Sequence, residues 1–179
     1  MRRMTVLFLG LALVNAAAPA AADELFLLNV PGVAGDVTTR GYPGWISVTS
    51  FTEGFSNAAA NRSGAGGAAG RTSCQNLHVI KPLDVTSPEL ALAVATGRVF
   101  GKIELVAVRS SNGGPEEFLR FTLSNVVISS VAFAGDANTS ARTETLVLRP
   151  TKVDVQYTPQ RADGSLGSPV SALLACAIN

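Results

Sequence analysis

Short runs of β-branched and apolar residues, alternating with polar ones and cut by Gly, Pro, Asn and Ser, recur along most of this chain. A period of two puts alternate side chains on opposite faces of a strand and spreads them uselessly around a helix. About nine such segments are readable, over 25–30, 45–51, 72–80, 102–109, 116–123, 126–134, 143–149, 152–158 and 170–178. Between 109 and 116 lies Asn112-Gly113-Gly114-Pro115, residues that accept the positive φ a hairpin turn requires. Many strands with little helix between them predict an all-β fold, an antiparallel β-barrel or sandwich.

One segment breaks the pattern. In Ser87–Thr96 the Ser87 hydroxyl is placed to cap a helix, and Pro88 suits its first turn. Glu89 lies near the positive end of the helix dipole, Leu90, Ala91 and Val94 share a face, and Gly97 can end the helix in a left-handed conformation. The spacing predicts one short α-helix packed on the sheet or at a barrel mouth.

The first residues are of another kind. Arg2 and Arg3 precede an apolar run over 6–14, and Ala20 and Ala22 fit an A-x-A cleavage site before Asp23. The run is too short for the ~20 residues that cross a bilayer, so residues 1–22 read as a signal peptide and no membrane span remains after its removal. The remaining 157 residues, 23–179, carry a formal charge of −1 in place of the whole chain's +1, and read as a single domain. That charge, with one histidine in the chain, argues against nucleic-acid binding. The predicted location is outside the cytoplasm, periplasmic or secreted. The stretch 57–71, built of Ala, Gly, Ser and Asn, can bury little and reads as a flexible loop.

The chain's two cysteines, Cys74 and Cys176, stand 102 residues apart. In an oxidising compartment an even count suggests a disulfide; two buried small hydrophobes are the alternative. Chemistry is otherwise sparse. Gly64-Ala65-Gly66-Gly67-Ala68-Ala69 fits a dinucleotide fingerprint in letters only, because a strand and not a helix is predicted after it. His78 is the only candidate general base, and on its strand it reads as a hydrogen-bonded structural residue. Glu116 and Glu117 are adjacent on a strand and point to opposite faces, so they form no carboxylate pair. No metal site, cofactor or catalytic residue is predicted.

Four blocks, in order, resemble the haemolysin-coregulated protein (Hcp) family of type VI secretion tubes. Gly41-Tyr42-Pro43-Gly44-Trp45-Ile46 is similar to the family's G-H-x-G-W-I, and Gln75-Asn76-Leu77-His78-Val79-Ile80-Lys81 to its Q-D-L-H-x-x-K. Ser87-Pro88-Glu89-Leu90, with Ala95-Thr96-Gly97, resembles its helix segment; Tyr157-Thr158-Pro159-Gln160 and Asp163-Gly164-Ser165-Leu166-Gly167 resemble Y-T-P-Q and D-G-S-L-G. The resemblance implies a non-catalytic β-barrel that assembles into a homohexameric ring, stacks into tubes, and carries or acts as a secreted effector. It also implies that 36–44 is an extended loop reaching a neighbouring subunit. Asp36, Arg40, Tyr42 and Trp45 become the candidate ring or stacking contacts, and core packing is the other role open to Trp45. Cys74 and Cys176 depart from the family's pattern and suit an exported form with an added cross-link. An exported monomeric barrel that binds a ligand and has lost ring assembly is the alternative.

Overall fold

The computed structural model describes residues 24–57, 72–111, 113–139 and 141–176. The predicted signal peptide, residues 58–71 of the predicted loop and Asn112 of the predicted turn lie outside the described residues. Eleven strands and one helix are present among those described: β1 Glu24–Asn29, β2 Ile46–Val48, β3 Ser50–Thr52, β4 Phe55–Asn57, β5 Thr72–Cys74 and β6 Leu77–Pro82; then α1 Ser87–Thr96, β7 Val99–Ser111, β8 Gly114–Gly135, β9 Arg142–Arg149, β10 Lys152–Tyr157 and β11 Val170–Ala175. Every strand pairing is antiparallel. The expected all-β architecture with one short helix is the one observed.

The main sheet runs β2-β1-β7-β8-β9-β6-β3. Its two end strands are consecutive in the chain, and this closes it. Residues 46–48 pair with β1, residues 50–52 pair with β6, and between them the Thr49 amide donates to the Ile80 carbonyl at 2.8 Å. The single strand expected over 45–51 is therefore two, because the backbone changes partner at Thr49. Likewise 72–80 divides into β5 and β6 where the Gln75 amide turns to the Gly54 carbonyl. Asn57, assigned to the loop by its composition, ends β4.

The opposite correction applies to 116–123 and 126–134, which form one long strand. β7 stays paired along most of β8, while β8's other edge is shared between two strands: 119–124 face β10 and 127–135 face β9. Asn125 sits at the changeover with φ 49°, the one non-glycine positive φ among the described residues. Thr151 holds the junction, its amide donating to the Ser124 carbonyl at 3.0 Å and its hydroxyl accepting from Asn125 Nδ2 at 3.4 Å.

The inner face carries the main core, including Leu28, Ile46, Leu77, Val79, Ile103, Leu105, Leu123, Ile128, Leu146 and Leu148. Helix α1 adds Leu90 and Ala93 to it, with Val94 half-buried beside them; Ala93, not Ala91, completes the buried face. Thr86, not Ser87, holds the position before the helix, and it makes no side-chain cap. Gly97 ends the helix with φ 61°, and its amide and that of Arg98 return to Val94 and Ala93.

Ser87 is spent on a buried polar cluster. Along β6 the inward positions are Leu77, Val79 and Lys81, and along β9 Glu144, Leu146 and Leu148. Lys81 and Glu144 face each other in register and pair directly, both fully buried. Lys81 Nζ also reaches Asp84 Oδ1 at 2.9 Å and donates to the Pro82 carbonyl at 2.9 Å, while the Ser87 hydroxyl donates to Glu144 Oε1 at 3.1 Å. Burial opposes ionisation of Asp84, but hydrogen bonds from Thr86 and Lys81 outweigh it and hold the carboxyl below its ordinary value.

Removing one member of a buried ion pair leaves the other charge uncompensated. Lys81→Ala is expected to destabilise the protein by about 3–5 kcal/mol. The double change Lys81→Met with Glu144→Leu should cost much less, both read from urea denaturation midpoints.

Candidate assembly surface and cleft

Between β1 and β2 the chain makes an excursion over the outer face of the barrel. It doubles back on itself: the Gly35 amide donates to the Gly44 carbonyl at 2.8 Å, Gly44 to Val37 at 2.8 Å, and Val37 to Trp45 at 3.1 Å. A Cβ on Gly35 would stand 2.3 Å from the Trp45 carbonyl oxygen, so only glycine permits this closeness. Val37, Tyr42 and Trp45 lie against Leu27, Val106 and Val108, a second apolar cluster on the outer side of β1 and β7. Strand β7 is thus buried on both faces in its middle, which accounts for its unbroken run Leu105-Val106-Ala107-Val108.

A charged lattice fixes this excursion. The Tyr42 hydroxyl donates to Glu117 Oε2 at 3.0 Å. Arg120 grips both oxygens of Glu117, at 2.7 and 2.6 Å, and reaches Glu104 Oε1 at 2.6 Å. Glu117 and Arg120 are three apart, a spacing that in a regular strand puts side chains on opposite faces. A β-bulge resolves this: Ala107 faces Leu119 but Val108 faces Glu117, so Phe118 is the extra residue and both charged groups emerge outward. Glu116 separates from Glu117 as expected, pairing with Arg109 at 3.5 Å.

The electrostatics follow from these contacts. Burial, reinforced by the Glu117 charge and hydrogen bond, pushes the Tyr42 phenol up to about 12. Hydrogen bonding to Glu117 raises Arg120 further, against its partial burial. For Glu104, burial favours the neutral acid but is outweighed by Lys102 and Arg120, which hold it below its ordinary value.

Of the four predicted contact residues, Tyr42 and Trp45 are half-buried and meet edge to face at 5.0 Å. Asp36 and Arg40 are exposed. The structure places all four on one excursion, two anchoring it to its own barrel and two facing outward. His78 is exposed on β6, opposite Thr52 and Val147 and on the face away from Leu77 and Val79 as expected, but its side chain makes no hydrogen bond among the described residues, unlike the hydrogen-bonded structural residue expected of it.

Cys74 and Cys176 are disulfide-bonded, with Cα atoms 5.1 Å apart. The bridge lines a cleft of about 550 Å³ at the place where β8 changes partner. Asn125, Arg149 and Thr151 form one side, Gln75 and Asn76 the other. Sequence reasoning missed this cleft, because it arises from the gap between β9 and β10; Asn125, between two readable strands, is its only local trace. Nearby, at the β3–β4 junction, both carboxylate oxygens of Glu53 are buried without a hydrogen-bond partner among the described residues. Burial pushes this carboxyl up to about 7, the Gly54 backbone pulling weakly the other way.

A closed antiparallel barrel, capped by one helix and strapped on its outer face, defines the class of protein. The chain belongs to the Hcp family: the family profile described as "Type VI secretion system effector, Hcp" matches residues 27–157. The curated protein Hcp1 of Pseudomonas aeruginosa is 32% identical over 101 residues, 56% of this chain and 62% of that relative's own length. A solved structure of a type six secretion system protein superposes with TM-score 0.77 at 25% identity, covering 86% of this chain and 96% of the other. Hcp1 of Salmonella typhimurium gives TM-score 0.68 at 22% identity, covering 87% and 95%, and supports the fold.

Two variants probe the strap. Trp45→Ala removes the aromatic anchor and should cost about 2 kcal/mol, less than a fully buried tryptophan. Tyr42→Phe, which loses one hydrogen bond to a charged group at a partly exposed site, should cost about 1 kcal/mol. Chemical denaturation measures both, and near-parent stability for Trp45→Ala would count against the strap as an anchor. Glu53 makes a separate prediction. Its folded pKa is raised, so the neutral form favours folding; that contribution is complete below 4.5 and is lost as pH rises through about 7. Glu53→Gln should therefore hold its melting temperature better than the parent across this interval, and parallel pH profiles would contradict the assignment.

Proposed function

We propose that this chain is a ring-forming, tube-building structural protein of the type VI secretion kind, non-catalytic, and exported through residues 1–22. The observation that carries the reading is the Hcp match over 27–157 on a barrel of the same fold. Exposed apolar side chains support it. Val170 and Leu173 on β11 are 64% and 70% exposed, and Phe133 near the end of β8 is 55% exposed. Side chains of this kind on strand faces suit contacts between copies of a ring. Asp36 and Arg40, exposed on the outer strap, offer polar contacts on a separate surface. The disulfide suits an oxidising compartment, periplasmic or extracellular, and agrees with export. On this reading 23–179 is one domain, and its partners are copies of itself and secreted effector proteins.

The 550 Å³ cleft favours a second reading, a monomeric exported module that binds a ligand there. One preparation separates the two. Protein recovered from the extracytoplasmic fraction, with Asp23 at its N-terminus, should elute in size-exclusion with light scattering as a closed oligomer of about six chains. A monomer at high concentration would overturn ring formation and favour the binding module.

A further inference from the structure

The disulfide joins two parts of the molecule that the rest of the fold leaves loosely connected. On one side is the β4–β5 ribbon, a two-stranded sheet of three register pairs separate from the main sheet. It buries little: all three residues of β4 are exposed and those of β5 half-buried. On the other side is the end of β11, an edge strand paired only with β10, whose Cys176 amide donates to the Thr151 carbonyl at 3.0 Å. Among the described residues, the ribbon's backbone hydrogen bonds include its own ladder and the Gln75 amide on the Gly54 carbonyl, neither reaching β11. Beside the bridge it meets β11 along β5, and both cysteines pack against the core. The Cys74–Cys176 bond is the covalent tie between the two.

Its position matters as much as its presence. Both cysteines are half-buried and both line the 550 Å³ cleft, which gives a small thiol an approach to the bridge. Residues 73–76 form the ribbon's wall of that cleft, and Asn125, Arg149 and Thr151 form the wall belonging to the barrel. Movement of the ribbon away from β11 would separate the walls. The barrel has its own fastening elsewhere, in the Lys81–Glu144 pair and the helix packed over the core.

We infer that the Cys74–Cys176 bridge is a redox-operated latch: closed, it holds the β4–β5 ribbon against the end of β11 and forms the cleft; opened, it frees the ribbon while the barrel stays folded. The opening partner is a dithiol. One of its thiolates attacks a cysteine sulfur, breaking the S–S bond and forming a mixed disulfide. Its second thiol then displaces the protein sulfur. The dithiol loses two electrons and ends as a disulfide, the bridge gains two, and the dithiol's two protons end on Cys74 and Cys176. A disulfide donor reverses the step. The latch operates within one chain and does not depend on ring assembly.

Hydrogen exchange read by mass spectrometry tests this on the folded, oxidised protein before and after treatment with dithiothreitol and thiol blocking. Amides of 55–57 and 72–76 should exchange at least about tenfold faster once the bridge is open, whereas those of 77–82 and 143–149 keep their protection. Oxidised glutathione, added to the unblocked reduced protein, should restore the first set. The double variant Cys74→Ser with Cys176→Ser should match the reduced protein; if it fails to fold, reduction of the already folded chain still decides the matter. Unchanged exchange in 55–57 and 72–76 would show that the ribbon is held without the bond. Loss of protection throughout would show that the bridge is a global staple. Either result overturns the latch.

Discussion

The Lys81–Glu144 pair constrains the rest of the barrel because two fully buried charges can be placed only where their partners also converge. Each ion taken out of water carries a penalty of several kcal/mol, recovered only through close pairing and further hydrogen bonds. Here those come from Ser87 at the start of the helix and from Asp84 just before it. The cluster therefore sets three things together: the β6–β9 register, the turn after β6, and the point at which α1 begins. A slip of one residue between β6 and β9 would set Lys81 opposite Thr143 or Thr145 and Glu144 opposite Ile80 or Pro82, breaking the pair, and would carry one strand's apolar set to the outer face. Helix packing is tied to the same cluster, since Ser87, held against Glu144, begins the helix that carries Leu90 and Ala93 into the core.

Strands that change partners do the remaining work. The 46–52 segment closes the sheet by pairing with β1 and then with β6, and β8 opens a gap by pairing with β10 and then with β9. Closure removes the edges that β2 and β3 would expose in a flat sheet and leaves β11, paired only with β10, as an edge strand. The gap at Asn125 gives the protein its cleft, floored by the disulfide. The same structural device thus accounts both for the closed body and for the cleft beside it.

Alternation made much of this legible in the sequence. β9 read directly, β6 only as the later part of a run taken as one strand over 72–80, and the helix from Ser87 to Thr96 with Gly97 behind it was visible from Pro88, the apolar spacing and the terminal glycine. Even the inward position of Lys81 follows from parity with Leu77 and Val79, although a lysine is ordinarily read as solvent-facing. What stayed hidden depends on partners distant in sequence. No local feature tells that Thr49 faces Ile80, or that β8 runs on through Asn125 because β7 continues beside it. Likewise Glu117 and Arg120 share a face only because a bulge at Phe118 shifts the parity between them. The cleft was unreadable for the same reason, being bounded by four separate stretches of chain. The family resemblance reached the fold through short ordered blocks, but it could not say whether Tyr42 and Trp45 face a neighbour or their own barrel.

That last distinction bears on how copies would meet. Tyr42 and Trp45 are engaged within the chain, through Glu117 and through the cluster of Leu27, Val106 and Val108. An aromatic residue already packed and hydrogen-bonded gains little by moving to a second copy, because the contacts it leaves must be replaced. The strap is therefore a pre-organised surface whose fixed geometry presents Asp36 and Arg40, and binding through it would order little that is not ordered already. Apolar contact area has to come from elsewhere, and β11 supplies it with the exposed Val170 and Leu173, one on each face of the strand. In the proposed ring, a polar strap and an apolar edge strand would make unlike surfaces on one protomer, which is what a head-to-tail interface requires if a closed ring is to form instead of a symmetric dimer.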